Sequence, residues 1–200
     1  EAILENRPHN LPSIPVHYAD YAVWQRETSD LNAGLAWWEN NLKGAESLDF
    51  PTDFPRPAIR STRGATYGFM VSAQEVETLR RLGQDSGATL FMTLFAALNV
   101  LFRRYTGQAD ISIGTVAANR NRKEIEDVVG FFVNNLVLRN NLEGNPPFSD
   151  LLGKIRKSTL EAFERQEIPF DQVVDRLKVE RSLSRSPLFE VMFILQNTPD

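Results

Sequence analysis

Apolar positions recur every three to four residues soon after the chain begins. Tyr18, Tyr21, Ala22 and Trp24 share one face, which predicts a helix ending near Arg26-Glu27. Leu31, Leu35, Trp38 and Leu42 make a second stripe, with Gly44 placed to stop that helix after Lys43. Before these helices, Pro8, Pro12 and Pro15 predict an extended surface segment, and Pro51, Pro55 and Pro57 mark a crossing loop. The period then changes to two. Tyr67, Phe69 and Val71 alternate with Thr66, Gly68 and Met70, which predicts a strand. Ser72 and Glu75 form a capping box that opens a helix carrying Val76, Leu79 and Leu82. Thr89 caps the next helix, Leu90 to about Tyr105, apolar nearly all round and so expected to be central. Asp110 to Ala117 reads as a strand. Strand, helix, helix, strand suggests a crossover unit in one sheet.

The second half repeats this grammar. Asn119 to Glu126 reads as a charged surface stretch. Val128 to Arg139 reads as a buried strand, apolar on both faces apart from Asn134-Asn135. An amide in such a run must be paired, either tying down a neighbouring loop or lining a substrate channel. After the turn at Asn145-Pro146-Pro147, Ser149 is placed to cap a helix with Leu151, Leu152, Ile155 and Phe163 inward. Pro169 breaks it, Val173, Val174 and Leu177 mark a short helix, and Leu188 to Leu195 predicts a last strand.

Composition narrows the function. Hydrophobic residues make up 42% and charged residues 24%, enough for a packed core in one domain or two small lobes. A net charge of −4 offers nothing to hold phosphate backbones, so nucleic acid is not an expected partner. The absence of cysteine excludes a disulfide framework, a thiol nucleophile and cysteine zinc sites, and fits a reducing, cytoplasmic setting. The longest apolar run, Leu90 to Phe102, is too short to span a bilayer. Only His9 and His17 could serve as a histidine base, and both sit where surface or capping roles are the default. No phosphate-cradling loop, nucleophile elbow or metal motif is present. No catalytic residue is assigned, and no metal site.

Four segments, taken together and in order, resemble one family. Tyr18-Ala19-Asp20-Tyr21-Ala22-Val23-Trp24 is similar to the Y-x-D-Y-A-V-W motif of nonribosomal peptide synthetase condensation domains. Val129-Gly130-Phe131-Phe132-Val133-Asn134-Asn135 with Arg139 resembles G-x-F-V-N-T…R. Gln166-Glu167-Ile168-Pro169-Phe170 resembles H-Q-D-x-P-F, and Arg181 to Leu188 resembles R-D-x-S-R-N-P-L. The chain departs from these patterns at Arg165, Ser182, Ser186 and Asn135. It also lacks the family's catalytic H-H-x-x-x-D-G motif, which lies upstream of the first segment.

The resemblance implies an α/β fold like chloramphenicol acetyltransferase, a mixed sheet with helices packed on it. Residues 1–48 would end the N-terminal lobe and 49–200 would supply much of the C-terminal lobe. It implies an amide-forming transferase, inactive in this piece alone, with no cofactor bound directly. The substrates would ride on 4′-phosphopantetheine of peptidyl carrier domains, beside an adenylation domain and the missing N-terminal lobe. Asn134, Thr115 and Val116 would line the substrate tunnel. Asp20 and Trp24 would brace a lobe, Arg139 and Arg185 would hold loops, and Pro169 and Phe170 would carry a structural motif. Asn134→Ala is then expected to slow condensation with little loss of folding. The surface that faced the missing lobe favours self-association. Other readings of the fold are a non-catalytic module recruiting a carrier domain or tailoring enzyme, an epimerising or ester-forming relative, and an acyltransferase acting on soluble thioesters.

Overall fold

A computed structural model describes residues 13–28, 31–180 and 182–196. His9, Pro8, Pro12 and Arg181 lie outside these residues. The regular elements are α1 (Tyr18–Thr28), α2 (Leu31–Leu42), α3 (Ala73–Gln84), α4 (Leu90–Thr106), β1 (Asp110–Ala117), β2 (Asn134–Asn141), α5 (Phe148–Phe163) and α6 (Phe170–Leu177). A 3-10 turn, Lys123–Ile125, lies between the strands. They form two compact units. The smaller takes the described residues of Glu1–Asp30 with Ala118–Val133, and the larger takes those of Leu31–Ala117 with Asn134–Asp200.

The larger unit is built on β1 and β2, which pair antiparallel from Asp110↔Asn141 to Ala117↔Asn134. Ile111, Ile113, Leu136 and Leu138 are all buried at the centre of its core, with Trp38, Leu42, Phe95, Leu152 and Ile155 around them. The α4 helix begins where the Thr89 hydroxyl accepts the Met92 N–H, and ends at Gly107, whose φ of 75° suits glycine. It presents one face inward (Met92, Phe95, Phe102), while Leu101 and Tyr105 are exposed, so it is less enclosed than its composition suggests.

The α3 helix opens on the capping box. The Ser72 hydroxyl accepts the Glu75 N–H, and the Glu75 carboxylate accepts from the Ser72 backbone N–H at 2.9 Å and its hydroxyl at 2.6 Å. The hydroxyl and then the backbone bond hold the Glu75 pKa below its ordinary value. A lowered folded-state pKa places this contribution above the unfolded carboxylate pKa and removes it as pH falls through the folded one. Protection of the first α3 amides is therefore expected to fall on acidification, and Glu75→Gln to flatten that dependence. NMR titration of the carboxyl checks both.

Several sequence expectations are corrected. Residues 66–71 form no strand: the segment is exposed, with no neighbour among the described residues supplying a ladder, so the crossover unit loses its first member. The strand expected from Val128 begins only at Asn134, and Val129, Phe131 and Val133 are exposed rather than buried on both faces. The stretch 119–126 is not all surface, since Asn119 and Ile125 are buried. Pro147, not Ser149, takes the position before α5, because proline's fixed φ suits a helix start. Leu188 to Leu195 contributes one parallel bridge, Gly114↔Met192, made by Gly114 N–H to Val191 O and Phe193 N–H to Gly114 O. A φ of 67° keeps Leu188, at the start of this segment, out of strand geometry.

Candidate functional site

In the smaller unit α1 is fixed at its start by Asp20, whose carboxylate accepts the His17 backbone N–H at 2.9 Å. The i, i+3, i+6 spacing then puts Tyr18, Tyr21 and Trp24 on neighbouring turns of one face. Phe132 meets them. Its ring stands edge-on to Tyr18 at 5.1 Å and tilted to Tyr21 at 4.8 Å. Ile125 and Val128 complete the cluster. The Tyr18 hydroxyl donates to Phe131 O at 3.0 Å.

Arg120 organises the loop between. Its guanidinium donates to the carbonyls of Ile125 and Glu126 and lies 4.3 Å over the Phe132 ring. Arg122 covers Trp24 at 4.1 Å. Asn119, at a φ of 54° that asparagine tolerates, donates its amide to the Tyr21 hydroxyl. The sequence reading missed Arg120 and Asn119. A run of Asn and Arg reads as solvated, and only the fold shows that its guanidinium groups face carbonyls and rings.

Gly130 is required where it stands. A Cβ there would lie 2.7 Å from Tyr18 Cγ and closer still to Cδ2, atoms near the root of the side chain that cannot swing clear cheaply. Gly130→Ala is expected to cost about 2 kcal/mol, the usual range for overpacking. The double variant Gly130→Ala/Tyr18→Ala should cost less than the sum of the two single variants in urea melts. Strict additivity would show that the two residues do not conflict.

In the larger unit Asn134 faces the turn between α5 and α6. Its Nδ2 donates to Gln166 O at 2.8 Å and Ile168 O at 2.6 Å, and its Oδ1 accepts the Phe170 N–H at 3.1 Å. Both amide hydrogens are spent, so this side chain has no N–H left for a substrate carbonyl. Pro169 precedes α6 in extended conformation, and the Phe170 ring lies 5.6 Å from Phe189. Thr115 is buried at 1% exposure, and its cross-strand partner is Leu136. Strand alternation places Thr115 and Asn134 on one face of the sheet and Val116 on the other, so the three do not converge on one wall.

Arg139 grips Asp110 through Nε and Nη2, the shortest contact being 2.7 Å, and sends Nη1 to the carbonyls of Asn41 and Lys43 at the end of α2. Arg165, where the family commonly has histidine, stacks on Trp37 at 4.6 Å and donates to Glu161 O. Arg185 reaches Asp49 at 3.4 Å, a loose and largely exposed pair. His17 is exposed, and among the described residues no group of three or more His, Asp or Glu could hold a metal ion. Among the described residues no helix is long and apolar enough to cross a membrane. Asp20 and Asn134 thus spend their polar groups on backbone, and Arg139 divides its own between the Asp110 carboxylate and two carbonyls.

A family model described as Condensation domain matches residues 2–200. The chain belongs to the condensation-domain family. It is 50% identical over 201 residues to one linear gramicidin synthase polypeptide of Brevibacillus parabrevis, and 48% identical over 203 residues to a second from the same organism. These alignments take 98% and 100% of this chain but only 4% and 3% of those proteins, so the condensation sequence here spans a small part of each. Among solved structures, the X-domain from teicoplanin biosynthesis superposes with a TM-score of 0.85 at 27% identity, over 96% of this chain and 44% of that one. The small sheet with helices against it agrees with the α/β fold of these condensation-type structures.

Proposed function

We propose that these residues form part of a condensation domain that makes an amide bond in nonribosomal peptide synthesis. The near-50% identity to the gramicidin synthases, sustained along the whole chain, carries this reading. The acceptor is an aminoacyl thioester and the donor an acyl or peptidyl thioester, each held on the 4′-phosphopantetheine of a carrier domain. The acceptor nitrogen attacks the donor carbonyl, the C–N bond forms, the C–S bond breaks, and the thiol leaves with the proton the nitrogen gives up. Holding both arms in line replaces a bimolecular encounter by an oriented one. Carrier domains and an adjacent adenylation domain are the partners that follow from this reading.

The lobe division is part of the same proposal: residues 1–48 end one lobe and 49–200 belong to the next. Asn134, Thr115 and Val116 act on the tunnel from behind, through the turn and strand they hold, and His9 and His17 do not supply the base. The 200 residues alone are therefore inactive. A recruiting module is the weaker reading. A complex of the teicoplanin X-domain with OxyB is known at 28% identity to this chain, well below the identity to the gramicidin synthases.

The test is amide formation between two loaded carrier domains, followed by intact-protein mass spectrometry. A full-length domain containing these residues should transfer the acyl group, and the 200-residue chain should not. Transfer by the short chain, or equally fast transfer to soluble thioesters, would overturn the proposal.

A further inference from the structure

Arg103 and Arg104 stand in the last turn of α4, and among the described residues neither guanidinium has a hydrogen bond or an ion pair. Cations there complement the helix macrodipole, and Arg104, which is exposed, needs no further reason. Arg103 is different. Its Nη1 is buried and has no acceptor. A charged N–H kept from water and left unpaired costs more than a neutral one, so this position calls for an acceptor. Both side chains line one hollow of about 250 Å³ between α4 and the turn that leads from β2 into α5. No carboxylate is among its lining residues. The rest of the wall is hydrocarbon from Val100, Leu142, Pro146 and Leu151, with the Asn145 side chain as its neutral polar group.

Two unopposed guanidinium groups attract an anion, and the planar fork of arginine fits an oxyanion with two coplanar oxygens. Phosphate would set its remaining oxygens against hydrocarbon, at a cost. An aliphatic carboxylate carries charge at one end and hydrocarbon along the rest, as this wall does. The volume is below the roughly 300–1,000 Å³ of drug-sized ligand sites, so the occupant is small. We propose that the hollow binds the carboxylate of a short aliphatic acid. Binding turns the Arg103 side chain so that the N–H now buried meets a carboxylate oxygen. Arg104 supplies the second charge, and the alkyl tail lies against Val100, Leu142 and Leu151. The site lies within the larger unit and needs no part of the amide-forming reading.

Calorimetric titration of a full-length condensation domain carrying these residues tests it, with acetate, propionate and butyrate at constant ionic strength. Affinity should rise roughly fourfold for each added CH₂, the worth of burying one. Arg103→Met keeps the stem and removes the charge, and should weaken propionate binding by about tenfold or more. Arg80→Met, which removes an exposed arginine paired with Glu77 on α3, should leave binding unchanged. The Arg103 Nε–H resonance should shift as propionate saturates the site. Without acid, Arg103→Met should melt no lower than the wild-type domain, since no bond is lost. Absence of saturable binding by all three acids, an affinity flat along the series, or equal weakening by Arg80→Met would overturn the proposal. So would tighter binding of inorganic phosphate than of propionate. A lower melting temperature for acid-free Arg103→Met would overturn it too, because the guanidinium would then already have its partner.

Discussion

Asn134→Ala is expected to destabilise the larger unit by about 3 kcal/mol, roughly 1 kcal/mol for each of three lost hydrogen bonds. The three partners are backbone groups, two carbonyls and one N–H, in the turn between α5 and α6 and at the first residue of α6. Ile168, which is buried at 2% exposure and packs against Gly34 of α2, sits in that turn, so the loss spreads from β2 to two helices. Asn134→Asp should do no better, because a carboxylate would face the Gln166 and Ile168 carbonyls with no hydrogen to give. Urea melts give the free energies, and exchange of the Phe170 amide reports the turn itself. This reverses the sequence-based expectation of slowed turnover with intact folding. If the variant folds with wild-type stability and only its condensation rate falls, the amide does its work toward substrate after all.

How much of this could be read in advance depended on whether the signal was local. The α1 to α6 helices are written in short-range periodicity and caps, and Ser72, Thr89 and Gly107 act in the structure as their chemistry dictates. Strands depend on partners, and there the reading broke down. Tyr67 to Val71 has the pattern of a strand and lacks a neighbour among the described residues, and Val129 to Val133 has the composition of one but serves a loop whose Phe132 ring meets α1. Family motifs located the residues that matter without saying what they do. The pairing of Gly130 with Tyr18 joins two motifs far apart in the chain, and no spacing rule predicts it. Likewise Asn134 could be identified as a buried amide needing partners, while the choice between loop and channel required the position of 166–170 in space.

Arg139→Ala is expected to cost about 3 kcal/mol as well, because a charged donor set serving both Asp110 oxygens and two carbonyls is removed at once. The guanidinium makes a fork onto Asp110 across the β1–β2 pair and also collects the Asn41 carbonyl, in the last turn of α2, and that of Lys43 just beyond it. The hydrogen bond to Asp110 raises the Arg139 pKa first of all, with smaller help from the charges of Asp110 and Glu46 against desolvation. Arginine is charged at every pH the fold survives, so the contribution should not titrate through this residue. The side chains of the pair are 23% and 29% exposed, which limits the ionic share and leaves geometry as the larger part. Arg139→Lys separates the two: it keeps the charge but cannot span both carboxylate oxygens and both carbonyls. It should recover less than half of the lost stability, and a double-mutant cycle with Asp110→Asn should give a coupling of about 1–2 kcal/mol. Full recovery by lysine would show that a point charge suffices and that the end of α2 is held by its own packing, through Trp38 and Leu42, rather than by this fork.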